Sequence, residues 1–212
     1  GSKVDSDPSN VADRACLGCL AGFFSGTLNA VNCTRCSPRT HQALSGQVFC
    51  PNCGAGKYTA APGAVTCDTC PPGKYSASGS EGCSGCDPGK HSAATGTERC
   101  TQCVPGRFSG AGLAVCSLCG PGSSSLQGSQ KCRNCSVGEV QPQAGQARCT
   151  KCTSGLFQEL EAKRTCDECP EGKFQSKAGQ GYCLNNPAGK SVKSQQQQET
   201  TMTLDGVDMA SF

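Results

Sequence analysis

The stretch from Cys70 to Cys103 reads C-PPGKYSASGSEG-C-SG-C-DPGKHSAATGTER-C-TQ-C and decides the fold. It contains two copies of one pattern. A cysteine leads through one residue to Pro-Gly-Lys, an aromatic ring and a serine. A run of small residues with a second glycine then leads to another cysteine, and the next copy begins after two residues. Self-similarity at so short an interval predicts a tandem repeat array.

The same pattern extends along most of the chain. Ten Cys-x-x-Cys pairs recur at steps of 16 or 17 residues, and one further cysteine follows the start of the last pair by 17. We number repeats 1 to 10, each running from the second cysteine of one pair (the opening cysteine) to the first cysteine of the next (the closing cysteine). The pairs begin at Cys16, Cys33, Cys50, Cys67, Cys83, Cys100, Cys116, Cys132, Cys149 and Cys166, and the chain's last cysteine is Cys183.

Two glycines recur in each repeat. The first glycine lies three positions after the opening cysteine in nine of the ten repeats, and Arg39 is the exception. The second glycine lies four positions before the closing cysteine in eight repeats, and Asn29 and Ala162 are the exceptions. Because Asn best replaces Gly where φ is positive, we predict a left-handed backbone at the second-glycine position.

The position five residues after the opening cysteine, the ring position, holds most of the aromatic residues. We expect these rings to pack on a neighbouring disulfide or on the next repeat, because nothing else in a repeat is large and apolar. His41 and His91 both fall here, so we interpret them as packing residues rather than metal ligands or catalysts. The ring position is occupied by Phe24, His41, Tyr58, Tyr75, His91, Phe108, Ser124, Val140, Phe157 and Phe174.

Regular secondary structure is expected to be sparse. Segments such as Gly73 to Ser76 suit short strands in a hairpin, limited to three to five residues by frequent Gly and Pro. Residues 157–164 lack the second glycine and place Glu159 four residues before Lys163, which favours one or two helical turns there.

The composition excludes several classes of protein. The chain has 212 residues with 21 cysteines, no Trp and 5% aromatic residues, which indicates a scaffold held by covalent links and without a single core. The net charge of +3 is spread out, with no basic stripe of the kind that nucleic acid requires. No apolar run approaches the roughly 18 residues of a membrane span. An intermittent row of lysines, interpreted as a solvated face, follows the first glycine at Lys57, Lys74, Lys90 and Lys173.

Three chemistries compete for the cysteines: disulfides, zinc and redox catalysis. A redox motif occurs once on a βαβ scaffold, and ten copies in a Gly-rich repeat offer no such context. Zinc is bound by two such pairs per site, so the separations between pairs would alternate, and here they do not. We therefore favour disulfides, with a zinc-binding array as an alternative. No catalytic residue and no cofactor is predicted.

Spacing alone does not set the connectivity of disulfides. We hypothesise that each opening cysteine bonds the closing cysteine of its own repeat, which leaves Cys16 without a partner, as truncation of a longer array would. Each loop of about 15 residues is worth around 3 kcal/mol in the chain-entropy account. The expected pairs are Cys19–Cys33, Cys36–Cys50, Cys53–Cys67, Cys70–Cys83, Cys86–Cys100, Cys103–Cys116, Cys119–Cys132, Cys135–Cys149, Cys152–Cys166 and Cys169–Cys183.

Residues Cys16 to Cys183 resemble the ephrin-receptor-like cysteine-rich repeat, with its Cys-Pro-x-Gly-x-Tyr-Ser core and Cys-x-x-Cys ends. They are also similar to the one-disulfide module of TNF-receptor cysteine-rich domains, and that likeness implies the pairing of opening and closing cysteines. The resemblance is looser around Arg39 and His41, and where Ser124 and Val140 replace the ring. It implies an extracellular rod without catalytic residues.

The repeats are flanked by polar segments. We expect a linker over residues 1–15, where Gly1-Ser2 resembles a cloning scar and Asp5, Asp7 and Asn10 are interpreted as a solvated arm rather than calcium ligands. A polar linker is expected over 184–199. Residues 200–212 regain apolar side chains, and a tail and the first strand of a following domain fit them equally.

The function expected from these features is an extracellular or cell-surface structural spacer, a disulfide-stapled rod of ten hairpin-like or irregular repeats within a larger protein. The alternative is a receptor ectodomain that binds a protein ligand, which loop insertions and exposed aromatics in one or two repeats would favour, and the repeats here vary in length by one residue only. Expected partners are other domains of the parent protein, a protein ligand, or copies of itself in a filament. Asn32 and Asn134 each begin an N-glycosylation acceptor sequence with cysteine in the middle.

Overall fold

The computed structural model describes residues 2–4, 16–27 and 32–186. Asp5, Asp7, Asn10, Asn29 and the segment 200–212 lie outside the described residues. The chain divides into two compact bodies. The first body comprises Gly1–Val104, Phe108–Ser117 and Gly128–Lys131, and the second comprises Pro105–Arg107, Leu118–Gln127 and Cys132–Phe212.

Twenty short strands form two-stranded antiparallel sheets, and the described residues contain no helix. Nine of the sheets are hairpins that join the ring position of a repeat to the two residues after its closing cysteine. Repeat 2 has only an isolated bridge between Thr40 and Asn52. The nine hairpins pair β3 (Phe23–Phe24) with β4 (Thr34–Arg35), β5 (Lys57–Tyr58) with β6 (Asp68–Thr69), β7 (Lys74–Tyr75) with β8 (Ser84–Gly85), β9 (Lys90–His91) with β10 (Thr101–Gln102), β11 (Arg107–Phe108) with β12 (Ser117–Leu118), β13 (Ser123–Ser124) with β14 (Arg133–Asn134), β15 (Glu139–Val140) with β16 (Thr150–Lys151), β17 (Leu156–Phe157) with β18 (Asp167–Glu168) and β19 (Lys173–Phe174) with β20 (Leu184–Asn185).

The tenth sheet precedes the repeats. It pairs β1 (Ser2–Val4) with β2 (Cys16–Gly18) in antiparallel register, so three residues of the predicted N-terminal linker join a sheet. At the other end, β20 carries the last hairpin beyond Cys183. The predicted fold class, a disulfide-rich repeat array of small hairpins with little regular structure, is confirmed.

The left-handed backbone predicted at the second glycine is confirmed. All eight second glycines have positive φ, and Ala162 keeps the same conformation at φ 58° in the repeat that lacks the glycine. The first-glycine position is left-handed as well, including at Arg39 with φ 78°. Both glycine positions therefore exist because the backbone turns there in a way that other residues adopt only under strain.

The helical turns expected over residues 157–164 are absent, and that prediction is wrong. Leu156–Phe157 forms β17, and turns follow it. The amide of Ala162 donates to the carbonyl of Cys135 in the preceding repeat at 2.9 Å. This contact and the left-handed φ of Ala162 override the weak local attraction of Glu159 for Lys163, which is worth only about 0.2–0.5 kcal/mol on a helix.

Backbone hydrogen bonds join each repeat to the next in the same way along the array. Between repeats 3 and 4, the Gly56 amide donates to the Ser76 carbonyl at 2.8 Å, and the Cys70 amide donates to the Gly56 carbonyl at 2.9 Å. The amide of the second glycine, Gly79, donates to the Cys53 carbonyl at 2.8 Å. Each such bond contributes about 0.5–1.5 kcal/mol, so consecutive repeats are joined by main chain rather than by stacked rings alone.

Each repeat also contacts the repeat after the next. A Cβ added at Gly106 in repeat 6 would collide with the carbonyl oxygen of Gly145 in repeat 8. The collision recurs two repeats apart for seven first glycines: Gly22, Gly56, Gly73, Gly89, Gly106, Gly122 and Gly138. For Gly155 and Gly172, in the last two repeats, no described atom lies within 4 Å of the Cβ position. The first glycine is therefore required twice, by its φ and by this close approach.

We predict that Gly106→Ala destabilises the array more than Gly155→Ala. Both alanines would bear left-handed strain of about 1–2 kcal/mol, but only the first adds overpacking, worth about 1–3 kcal/mol more. Hydrogen exchange of the amides of Cys119 and Gly145, compared with that of Cys169, measures the local opening free energy. Equal losses of local opening free energy in the two variants would show that the close approach between repeats 6 and 8 does not require a glycine at position 106.

Candidate functional site

Ten disulfides link the opening cysteine of each repeat to the closing cysteine of the same repeat, and these are the pairs expected above. The Cα atoms of each pair lie 5.6–5.8 Å apart. The bridges are Cys19–Cys33, Cys36–Cys50, Cys53–Cys67, Cys70–Cys83, Cys86–Cys100, Cys103–Cys116, Cys119–Cys132, Cys135–Cys149, Cys152–Cys166 and Cys169–Cys183. Each of the ten repeats is thus a closed covalent loop.

The opening cysteines form the centre of the array. Nine of them are buried, whereas Cys169 in repeat 10 is half-buried, and most closing cysteines are half-buried too. The buried state follows from the contacts between repeats, because the carbonyl of each of these nine opening cysteines accepts a hydrogen bond from the next repeat, whereas Cys169 belongs to the last repeat. The opening cysteine therefore performs two tasks, since its sulfur closes its own repeat and its carbonyl accepts a hydrogen bond from the next repeat.

A second buried column lies beside the cysteines and consists of polar side chains. The residue six positions after the opening cysteine, the polar position, is Ser, Thr or Gln in all ten repeats and is buried in all ten. Buried polar groups are stable only when they are hydrogen-bonded, so each has a specific partner. The polar position is occupied by Ser25, Gln42, Thr59, Ser76, Ser92, Ser109, Ser125, Gln141, Gln158 and Gln175.

The partner of the polar position depends on the length of the repeat. In the three shorter repeats, whose bridged cysteines are 13 residues apart, the polar residue is Ser and its hydroxyl donates to a carbonyl of the preceding repeat. In the seven longer repeats, with a separation of 14, its side chain instead bonds the backbone two residues further on. The additional residue of the longer repeats lies between the polar position and the second-glycine position, and the polar side chain holds the loop that this residue enlarges.

Glutamine makes the more extensive version of this contact. In repeat 9 the Gln158 amide nitrogen donates to the Thr165 carbonyl at 2.9 Å and to an Asp167 carboxylate oxygen at 3.0 Å. The Gln158 amide oxygen accepts from the Leu160 amide at 3.1 Å. One side chain thus joins the two ends of the segment from Leu160 to Thr165 within the disulfide-closed loop. Gln42, Gln141 and Gln175 bond the backbone at the corresponding positions of their own repeats.

At His91 and Ser124 the ring position contacts the disulfide of the next repeat, which is the packing expected of this position. His91 Nδ1 lies 3.1 Å from Cys116 Sγ, and Ser124 Oγ, at the same position in repeat 7, lies 3.5 Å from Cys149 Sγ. His91 Nδ1 also lies 3.1 Å from the Thr101 carbonyl. Because a carbonyl only accepts, this nitrogen carries the proton. The histidine is therefore held by its own hairpin against the next bridge.

Two clusters have the composition of a metal site. The ligand atoms of His41, Cys53 and Cys67 lie within 4.8 Å of one another, and His91 clusters in the same way with the bridge of repeat 6. The four sulfurs involved are paired in disulfides, whereas the metal ligand is the thiolate. His41 Nδ1 is buried with no hydrogen-bond partner among the described residues, which suits a ring packed on a disulfide.

The remaining residues singled out in the sequence lie apart from the two buried columns. Asn32 and Asn134 are exposed. Lys57, Lys74 and Lys173 are exposed and Lys90 is half-buried, with a 2.9 Å ion pair to Asp87. Cys16 begins the second strand, and its side chain lies outside the described part of the chain.

Repeat 2 presents apolar side chains to solvent. Leu44, Val48 and Phe49 are 64%, 53% and 60% exposed. Gln42 holds this loop, because its amide oxygen accepts from the Leu44 amide at 3.0 Å and its nitrogen donates to the Phe49 carbonyl at 2.9 Å. In the other three glutamine repeats, the pairs at these two positions include at most one large apolar side chain (Gln143 and Arg148, Leu160 and Thr165, Lys177 and Tyr182).

The polar position and the contact between alternate repeats were missed by our reasoning from the sequence. The signal for the polar position was present, because Ser, Thr or Gln occurs there in every repeat, whereas glycine and ring positions have exceptions. The contact between alternate repeats produces no pattern of side chains in the sequence. Its only trace is the first glycine, which has no side chain.

Comparison with models of protein families finds no match. A search of curated proteins finds no match to this chain either. Within the part of the chain that the structure describes, no helix has the length and apolarity needed to cross a membrane.

We predict that Gln158→Ala destabilises repeat 9 by about 1–3 kcal/mol, because it leaves backbone groups of the loop without partners. The matched control is Gln143→Ala, whose exposed side chain can be removed at a cost within about 0.5 kcal/mol. The local opening free energy from hydrogen exchange at the Leu160 amide measures the difference. A value for Gln158→Ala as small as the control's would contradict the role assigned to the buried amide.

Proposed function

We propose that this chain is an extracellular structural spacer, a disulfide-stapled array that holds other parts of a larger protein at a distance. The observation that carries the proposal is that every repeat is closed by its own bridge and hydrogen-bonded to the next by main chain. Contacts that repeat identically resist bending at any single joint and give a length proportional to the number of repeats.

Ten disulfides support a location outside the cell, because such bonds persist in oxidising compartments and are rare in the cytosol. The likeness to ephrin-receptor-like repeats supports the same location. Within this proposal, the partners of the chain are the neighbouring domains of its parent protein. Closed loops whose bridged cysteines are only 13 or 14 residues apart offer few stretches that a protease can bind in extended form, which suits a stalk.

We predict that the oxidised chain scatters X-rays as an elongated particle. A compact chain of 212 residues has a radius of gyration of about 17 Å, and the unfolded chain about 50 Å. We expect a radius of gyration well above that of the compact chain, with little change in high salt. Reduction of the disulfides in mild denaturant then raises the radius of gyration towards that of the unfolded chain. A radius near that of a compact globule would contradict the spacer.

The second candidate function is binding of a protein ligand through repeat 2. It is favoured by the exposed loop of Leu44, Val48 and Phe49, since an apolar cluster in solvent is typical of an interaction site. A spacer tolerates Phe49→Ser without loss of function, whereas a receptor loses affinity. Because this side chain is 60% exposed, the substitution leaves the fold intact and separates the two functions.

A further inference from the structure

Two acceptor sequences for N-glycosylation contain a cysteine as their middle residue, Asn32-Cys33-Thr34 and Asn134-Cys135-Ser136. We propose that Asn134 is the glycosylated site and that Asn32 stays largely unmodified, because of the order in which their cysteines find partners. The inference rests on the proposed extracellular function, since only a chain that enters the secretory pathway meets the glycosyltransferase.

The folded array withholds both sequences from an enzyme. Asn134 belongs to β14 and pairs with Ser123, and the Cys135 amide donates to the Gly122 carbonyl at 2.9 Å. Cys135 is 0% exposed. In the other sequence, Thr34 pairs with Phe24 in a hairpin. A transferase binds its acceptor as a free segment of chain, so modification precedes closure of the repeat.

The two middle cysteines differ in where their partners lie along the chain. Cys33 closes repeat 1, and its partner Cys19 enters the secretory compartment 14 residues earlier. Cys135 opens repeat 8, and its partner Cys149 enters 14 residues later. At about 5–20 residues per second of synthesis, Cys135 lacks its partner for roughly 1–3 s. Asn134 therefore meets the enzyme before its neighbouring cysteine has a partner, whereas at Asn32 the partner of the neighbouring cysteine is already present and the bridge competes with the enzyme from the start.

The contacts that join these repeats to the following repeat form later and do not remove the asymmetry. The Gly122 amide bonds the Gln141 carbonyl, and the Gly145 amide bonds the Cys119 carbonyl, so repeat 7 requires repeat 8. Repeat 1 likewise requires repeat 2, because the Gly22 amide bonds the Gln42 carbonyl. The bridge through the middle cysteine therefore precedes these contacts with the following repeat.

The transfer itself is chemically balanced. The amide nitrogen of Asn134 forms a bond to the anomeric carbon of an oligosaccharide linked to a lipid diphosphate. The bond from that carbon to the phosphate oxygen breaks, the lipid diphosphate leaves, and one amide proton passes to a base. Because Asn134 is exposed in the folded repeat, the bulky glycan then projects into solvent.

A matched pair of new acceptors tests the mechanism without removing a disulfide. Arg148→Asn places an acceptor before the closing cysteine Cys149, followed by Thr150, and Lys151→Asn places one before the opening cysteine Cys152, followed by Thr153. Arg148 and Lys151 are both exposed. Each substitution is made separately in the full chain carrying Asn134→Gln, secreted from a eukaryotic cell, and site occupancy is measured by mass spectrometry.

We expect several-fold higher occupancy for Lys151→Asn than for Arg148→Asn, and, in the chain carrying only Ser136→Thr, several-fold higher occupancy at Asn134 than at Asn32. Equal or reversed occupancies in either comparison overturn the proposal. Non-reducing peptide maps of the same samples report on the function separately. Intact bridges with both natural sites unmodified overturn the glycosylation proposal alone, whereas secreted chains in which the twenty cysteines of the ten bridges are free thiols overturn the extracellular spacer.

Discussion

The whole structure depends on the disulfide that closes each repeat, because no repeat has enough apolar mass to fold by burial. A loop of about 15 residues closed in this way gains around 3 kcal/mol in total. Ordering its backbone costs about 1–2 kcal/mol for every residue, so the total cost for the loop is far larger than this gain. The bridge therefore needs help from outside its own loop. That help comes from the next repeat, whose second-glycine amide donates to the carbonyl of the opening cysteine, as Gly79 does for Cys53.

A polar interior follows from this division of work. Ordinary domains bury large apolar side chains, whereas this array buries cysteines and a column of Ser, Thr and Gln. The contact that each polar side chain makes depends on the length of its own repeat. In a short repeat such as repeat 6, the Ser109 hydroxyl reaches back to the Lys90 carbonyl, and in a long repeat such as repeat 9, Gln158 holds the added residue of the loop. Variation of one residue in repeat length is thus absorbed without disturbing the joints between repeats.

Much of the fold was predictable because its signals are covalent and periodic. The cysteine period indicated the array, and the replacement of glycine by Asn29 indicated the left-handed turn, which the φ of Ala162 then matched. The helical turn was a wrong prediction because Glu159 and Lys163 describe only local preference, and a fixed turn of the array overrode it. The first glycine was recognised but not explained. Its contact joins residues about forty positions apart through bare backbone, as between Gly106 and Gly145, and such a contact has no complementary partner in the sequence.

The approach of alternate repeats has a consequence for how such a protein changes over generations. Every internal repeat offers the same main-chain groups to its first and second successors, so a duplicated or deleted repeat meets neighbours that already fit it. A chain of this kind can lengthen or shorten in whole steps through recombination of its gene, with no compensating substitution. The number of repeats is therefore a quantity that selection can adjust in increments while the fold of each repeat stays the same.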